Sequence, residues 1–134
     1  VLTHSPSGET TAGSLKWSKY QQSAIVSGQT WVTDQLITSG NFTTTTTIPR
    51  NLKAGNYVLR HEIIALHGAG SDNGAQAYPQ CLNLKVGGSG TVAPTNGVAG
   101  TSLYTRSEPG IIFNLYGSYT SYPFPGPALW TAAN

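Results

Sequence analysis

With 134 residues, a net charge of +2 and only 9% charged side chains, the chain has the length of one domain (1–134) and no room for a second. Its seven basic residues, Lys16, Lys19, Arg50, Lys53, Arg60, Lys85 and Arg106, are scattered along the sequence, which argues against nucleic acid as a partner. No apolar run approaches membrane-spanning length and no signal peptide is present, so no membrane partner is expected and the sequence is either mature or trimmed.

Residues 1–15 are polar and turn-rich. Strand-like segments follow near 15–20, 23–27, 42–48, 56–67, 76–87 and 111–116, separated by clusters of Gly, Pro, Asn and Ser. Thr43 to Thr47 is low in complexity but β-branched, which predicts a strand rather than disorder. Nothing has helical periodicity over a useful length. The expected class is all-β, an antiparallel β-sandwich of immunoglobulin-like or fibronectin-like architecture. There is no internal repeat and no linker, unless Thr131 to Asn134 is the start of one.

Strict alternation puts Tyr57, Leu59, His61, Ile63, Ala65 and His67 on one side of a strand, and Val58, Arg60, Glu62, Ile64 and Leu66 on the other. Residues 68–75 are rich in types that tolerate positive φ and read as a hairpin loop. Gln76 to Val86 then returns as a second strand, with Pro79 limiting the pairing near its start. The loop therefore carries His67 back towards Gln76 and Tyr78, which share a face of the returning strand. Three polar side chains are expected to converge at one end of a sheet. His61 alternates with apolar neighbours and reads as a structural histidine. Arg60 and Glu62 lie two apart on one face, which suits a structural ion pair better than acid–base chemistry.

Other chemistries find little support. His4, His61 and His67 form no His-x-x-x-His pair and have no accompanying cysteine cluster, so a structural zinc site is not expected. Carboxylates for glycoside hydrolysis would have to come from Glu9, Asp34, Glu62, Asp72 and Glu108, none in a recognisable motif. There is no Gly-x-Ser-x-Gly elbow and no phosphate loop. Low charge and Thr/Gly/Ser-rich strands suggest secretion to the extracellular space. In that setting the single cysteine, Cys81, is a free thiol, a thiol with a missing partner, or a small buried apolar residue. Asn41-Phe42-Thr43 is an acceptor sequence for N-glycosylation, in agreement with secretion.

Several motifs in order carry a family resemblance: Trp31-x-x-Asp34-x-Leu36; Ile48-Pro49, Gly55, Tyr57, Arg60, Glu62 and His67; and Gln76-x-Tyr78-x-x-Cys81-x-Asn83-Leu84-x-Val86. Downstream come Leu103-Tyr104, Pro109-Gly110-Ile111, Asn114-Leu115-Tyr116 and the run from Tyr122 to Trp130. Over roughly residues 15–130 the chain closely resembles fungal lytic polysaccharide monooxygenases of auxiliary activity family nine, formerly glycoside hydrolase family 61.

That family holds copper with an amino-terminal histidine, through amine and imidazole, and with a second histidine from its amino-terminal half. Three nitrogens in a T suit Cu(II) and leave an open position for dioxygen or peroxide. By motif match the resemblance makes Tyr78 the axial copper residue, and His67 and Gln76 the hydrogen-bonding groups around the reactive oxygen species. It also implies that Tyr122 borders the flat substrate face, where a ring can stack on glucose, with simple packing as the alternative. Cys81 would normally pair with a cysteine in the amino-terminal half.

The sequence departs from that pattern at its start. Residue 1 is Val, no His-x-Gly-Pro motif lies upstream of Trp17, and Val1-Leu2-Thr3-His4 looks like the sequence that follows that Gly-Pro, with His4 at a usually aromatic position. Trp17-Ser18-Lys19-Tyr20 matches the family pattern only loosely. The expectation is a carboxy-terminal part of the fold that lacks both copper-binding histidines and the first strands, and that alone neither binds copper tightly nor turns over. The function implied by resemblance is copper-dependent oxidation of cellulose or a related β-1,4-glucan at C1 or C4. The alternatives are a non-catalytic, monomeric accessory protein that binds cellulose or weakly binds metal, and a structural β-sandwich with no carbohydrate role.

Overall fold

The computed structural model describes residues 2–4 and 12–134. Val1, Glu9, most of the turn-rich start and the side chain of His4 lie outside the described residues. Among the described residues the strands are β1 (Leu2–His4), β2 (Lys16–Trp17), β3 (Ile25–Ser27), β4 (Thr30–Trp31), β5 (Gly55–Ala65), β6 (Gln76–Val86) and β7 (Val98–Ala99), with one α-helix, α1 (Val32–Thr38), and short 3-10 turns at Ala12–Ser14 and Gly100–Ser102. All of their pairings are antiparallel: a three-stranded sheet in the order β1-β5-β6, and the pairs β2-β7 and β3-β4.

The β5-β6 hairpin is the frame. Its register runs unbroken from Gly55 opposite Val86 to Ala65 opposite Gln76, so the pairing continues through Pro79, which faces Glu62. The expected weakening there is absent because β6 is the sheet edge, and an edge strand tolerates a missing N–H on its unpaired side. Alternation along β5 serves two small cores. Tyr57 and Leu59 join Leu52, with Tyr20, Ile48, Leu84, Val86 and Trp130 around them. From the other face Val58 packs on Leu15, Trp17 and Leu103. Arg60 and Glu62 form the expected ion pair at 2.8 Å, reinforced by the Tyr104 hydroxyl donating to Glu62 at 2.7 Å. The Arg60 guanidinium also lies 5.9 Å from the centre of the Trp17 ring.

Three expectations need correction. Residues 42–48 form no strand: Thr43 to Thr47 are exposed, and β-branched side chains stabilise a strand only when neighbouring strands give them a surface to pack on. Residues 111–116 are turns and irregular backbone, with the Phe113 amide donating to Ala69 at 2.8 Å. Conversely, Val32–Thr38 is helical, started by the Asp34 carboxylate accepting the Trp31 N–H at 2.8 Å. No residue of this helix is buried, so it has no apolar stripe to betray it. No helix among the described residues is long and apolar enough to cross a membrane.

Candidate functional site

The site lies where the hairpin leaves its cores. After Ala65 the chain makes successive turns, with Ala69 N–H donating to Leu66, Ser71 to Gly68 and Gly74 to Ser71 at 3.0, 3.2 and 3.1 Å. Leu66 and Ala69 are buried and pin the loop to the body. The loop closes so tightly that a Cβ on Gly74 would sit 1.8 Å from the Gly68 carbonyl oxygen, which only glycine permits.

That closure brings His67 to Gln76. The Gln76 Nε2 stands 3.3 Å from His67 Nε2, and the Tyr78 hydroxyl donates to Gln76 Oε1 at 2.5 Å. An amide nitrogen only donates, so this contact needs His67 neutral, accepting through Nε2 and carrying its proton on Nδ1. Gln76 thus spans the phenol and the imidazole and sets the orientation of both. All three side chains are exposed, Tyr78 at 54%. The structure therefore brings together the three residues that the hairpin reading grouped.

Tyr116 is the addition that sequence reasoning missed. Its hydroxyl donates to the His67 carbonyl at 3.3 Å, and its ring is 80% exposed. The motif Asn114-Leu115-Tyr116 was visible, but reading 111–116 as a strand hid the ring's placement beside a loop more than forty positions earlier. The Arg106 guanidinium ties the same loop to the later segment by pairing with Asp72 at 2.6 and 3.2 Å.

Tyr122 stands elsewhere. Its ring packs edge-on against Trp31, Phe113 and Phe124 with centroids 5.4, 5.2 and 5.5 Å apart, and its hydroxyl donates to the Gly110 carbonyl at 2.8 Å. Burial, with the Glu108 charge adding to it, pushes this phenol up to about 12. His61 is exposed on β5, opposite Gln80. Cys81 is a free, exposed thiol opposite Arg60, which removes the reading of a small buried apolar residue. Asn41 is exposed at a turn after α1. Among the described residues no three His, Cys, Asp or Glu side chains gather to hold a metal ion. Tyr78, Gln76 and His67 offer one phenol oxygen and hydrogen-bonding groups, a set suited to flanking a metal rather than enclosing one.

The description Auxiliary Activity family 9 (formerly GH61) matches residues 3–123. AA9 family lytic polysaccharide monooxygenase F of Emericella nidulans is 59% identical over 120 residues, covering 88% of this chain and 47% of that protein. The F enzyme of Malbranchea cinnamomea is 54% identical over 124 residues, 90% of this chain and 50% of that one. Among solved structures, the glycoside hydrolase family 61 member Cel61B from Hypocrea jecorina superposes with a TM-score of 0.88 at 45% identity, over 96% of this chain and 57% of that chain. The extended catalytic domain of H. jecorina LPMO9A gives 0.89 at 44% identity, over 99% and 55%. The chain thus spans about half the length of the curated relatives it matches. Its fold is the antiparallel, immunoglobulin-like β-sandwich of these structures. With the family description running over most of the sequence and relatives identical at more than half of the aligned positions, the chain belongs to Auxiliary Activity family 9.

Proposed function

We propose that this chain takes part, as a secreted extracellular protein, in the copper-dependent oxidative cleavage of cellulose or a related β-1,4-glucan at C1 or C4 of the sugar. The observation that carries this reading is the His67–Gln76–Tyr78 hydrogen-bonded row at an exposed sheet end, beside the open ring of Tyr116. Tyr78 would be the phenol beside the copper, with His67 and Gln76 as the neighbouring hydrogen-bonding groups. Copper, when bound, supplies the one-electron chemistry that activates dioxygen or peroxide.

The chain's own residues bind and orient. Gln76 fixes the phenol and the imidazole, and the neutral His67 keeps a proton on Nδ1 and an accepting Nε2. Tyr116 presents a ring for stacking on a glucose face. Tyr122 would act apart from that ring, by holding the Pro-rich tail in place through its ring contacts and its bond to Gly110. The nitrogens that hold copper would come from residues outside this chain, since among the described side chains the imidazoles are those of His61 and His67, on different parts of the hairpin and in no metal-holding group.

Copper titration of the purified 134-residue chain, followed by spin resonance, tests the last point. A tight type-two signal from the chain alone would refute it, and weak binding is expected. Sedimentation with cellulose tests the rest. Tyr116→Ala is expected to weaken pelleting about 3- to 10-fold, the worth of one aromatic contact. No pelleting by the unaltered chain, or no effect of either Tyr116→Ala or Tyr122→Ala, would sink the carbohydrate reading. Pelleting by a chain that yields no oxidised oligosaccharides with copper and a reductant would instead favour the accessory role.

A further inference from the structure

The acceptor sequence Asn41-Phe42-Thr43 is the sequence's single Asn-x-Ser/Thr triplet and lies outside the site just described. It forms the tip of the turn that ends α1. The Gly40 N–H donates to Gln35 at 2.7 Å and the Phe42 N–H to Leu36 at 3.0 Å. The Thr43 N–H and hydroxyl both donate to the Gly40 carbonyl, at 2.8 and 2.6 Å. The turn is therefore closed on itself, with Asn41 and Phe42 side by side at its tip.

Both tip residues are in the left-handed region, with φ of 48° and 60°. Asparagine visits that region readily, whereas a bulky phenylalanine there is an outlier that needs a reason. The conformation holds the Phe42 ring 75% exposed, and Ile37, one turn earlier, is 61% exposed. Neither core reaches this end of the molecule, since α1 buries no residue. An exposed aromatic ring immediately beside an exposed acceptor asparagine is an arrangement that a sugar on that asparagine would cover.

We propose that Asn41 carries an N-linked oligosaccharide whose first N-acetylglucosamine lies over the Phe42 ring. The inference rests on the secreted reading given above. In the transfer, Asn41 Nδ2 bonds to the anomeric carbon of a lipid-pyrophosphate-linked oligosaccharide. The bond from that carbon to the pyrophosphate oxygen breaks, the lipid pyrophosphate leaves with the electron pair, and the amide proton passes to the transferase. Trp31 fixes the start of α1 to the aromatic cluster by donating from Nε1 to the Tyr119 hydroxyl at 3.0 Å. Seven helical residues then carry the turn roughly 10 Å along the axis, so the glycan extends from the opposite end of the helix.

Translation of the full chain behind a cleavable leader, with endoplasmic-reticulum microsomes present, tests the attachment. The protease-protected chain is expected to carry one glycan, removed by peptide N-glycosidase F and missing from both Asn41→Gln and Thr43→Ala. The leader makes entry independent of the protein's natural destination. A protected but unglycosylated chain therefore overturns the glycan and leaves secretion standing. A chain that is glycosylated in microsomes but absent from the medium of the organism that makes it overturns the secretion reading, and with it the natural glycan. Placement over Phe42 has its own readout. After trimming to the first sugar with endoglycosidase H, the N-acetyl protons are expected to show an upfield ring-current shift that Phe42→Ala abolishes. Equal shifts in the two proteins would overturn the covering role.

Discussion

Replacing Glu62 by Gln is expected to cost roughly 2–3 kcal/mol of folding stability. The Glu62 side chain is 5% exposed at the middle of β5 and accepts three hydrogen bonds: from Arg60 Nη2 at 2.8 Å, from Arg60 Nε at 3.1 Å and from the Tyr104 hydroxyl at 2.7 Å. Glutamine keeps the shape but loses the charge, and it turns an NH2 towards groups that themselves donate. Breaking a fully buried ion pair from one side costs about 3–5 kcal/mol. Here Arg60 keeps 19% exposure and the Trp17 ring, which brings the figure down to roughly 2–3 kcal/mol. Tyr104→Phe removes one donor and is expected to cost about 1–1.5 kcal/mol. In the double variant the total should fall short of the sum by about 1 kcal/mol, because the second change finds its partner already weakened. Urea unfolding at pH 7, followed by the fluorescence of the buried Trp17, reads these values. With a slope of about 1–3 kcal/mol per molar, Glu62→Gln should lower the midpoint by roughly 1–2 M. An unchanged midpoint, or costs that add in full, would refute the network.

Gly74→Ala is expected to open the site loop, since its new methyl would meet the Gly68 carbonyl at 1.8 Å; ring resonances of His67 that stay unmoved would contradict this. Between pH 10 and 12 stability is expected to fall. The folded chain holds the Tyr122 proton to about 12, while an unfolded phenol loses it near pH 10, so the stabilisation is whole below about pH 10 and is lost as the pH rises through 12. Burial raises Tyr57 and Tyr104 in the same sense, whereas burial lowers Lys19, which makes stability rise with pH up to about 10.5. Tyr122→Phe should therefore flatten the decline in urea midpoint over that window, and an identical slope would count against the assignment. Cys81 is expected to react with a thiol reagent in the native chain nearly as fast as in denaturant, and strong protection would contradict its exposure.

The hairpin was legible because two independent signals coincide there. Alternation set the faces of β5, and a loop dense in Gly, Ser, Asp and Asn could only turn the chain back. His67, Gln76 and Tyr78 inherit their meeting from that single local element, so their convergence could be read without any tertiary knowledge. Nothing local announced α1. Its seven residues have no buried face, and its one cue was the spacing of Trp31 and Asp34, which makes the N-terminal cap. The threonine run misled for the opposite reason, since it has strand propensity but no strand beside it. Ile111, Ile112 and Phe113 looked like a strand because they are apolar, yet Phe113 is placed by the aromatic cluster and the Ala69 carbonyl. The same tertiary bond carries Tyr116 towards His67, which is why that ring was missed.

The two ends of the hairpin are held by different physics. At the Gly55 end, side-chain burial dominates, with Tyr57 at 1% and Leu59 at 8% exposure. Towards the site the sheet is open: Ile63 and Tyr78, which face each other across the ladder, are 37% and 54% exposed. What fixes His67 there is a set of directional bonds: Phe113 N–H to Ala69, Tyr116 hydroxyl to His67, Arg106 to Asp72, and Gln76 between His67 and Tyr78. Each is worth only about a kcal/mol against water, so none of them alone accounts for the loop's position. Together with the buried Leu66 and Ala69 they tie it to the carboxy-terminal segment. A polar site exposed to solvent cannot be rigidified by a core without being covered by it. The fold resolves that conflict by anchoring the loop through its backbone and leaving the faces of Gln76, Tyr78 and Tyr116 open to solvent.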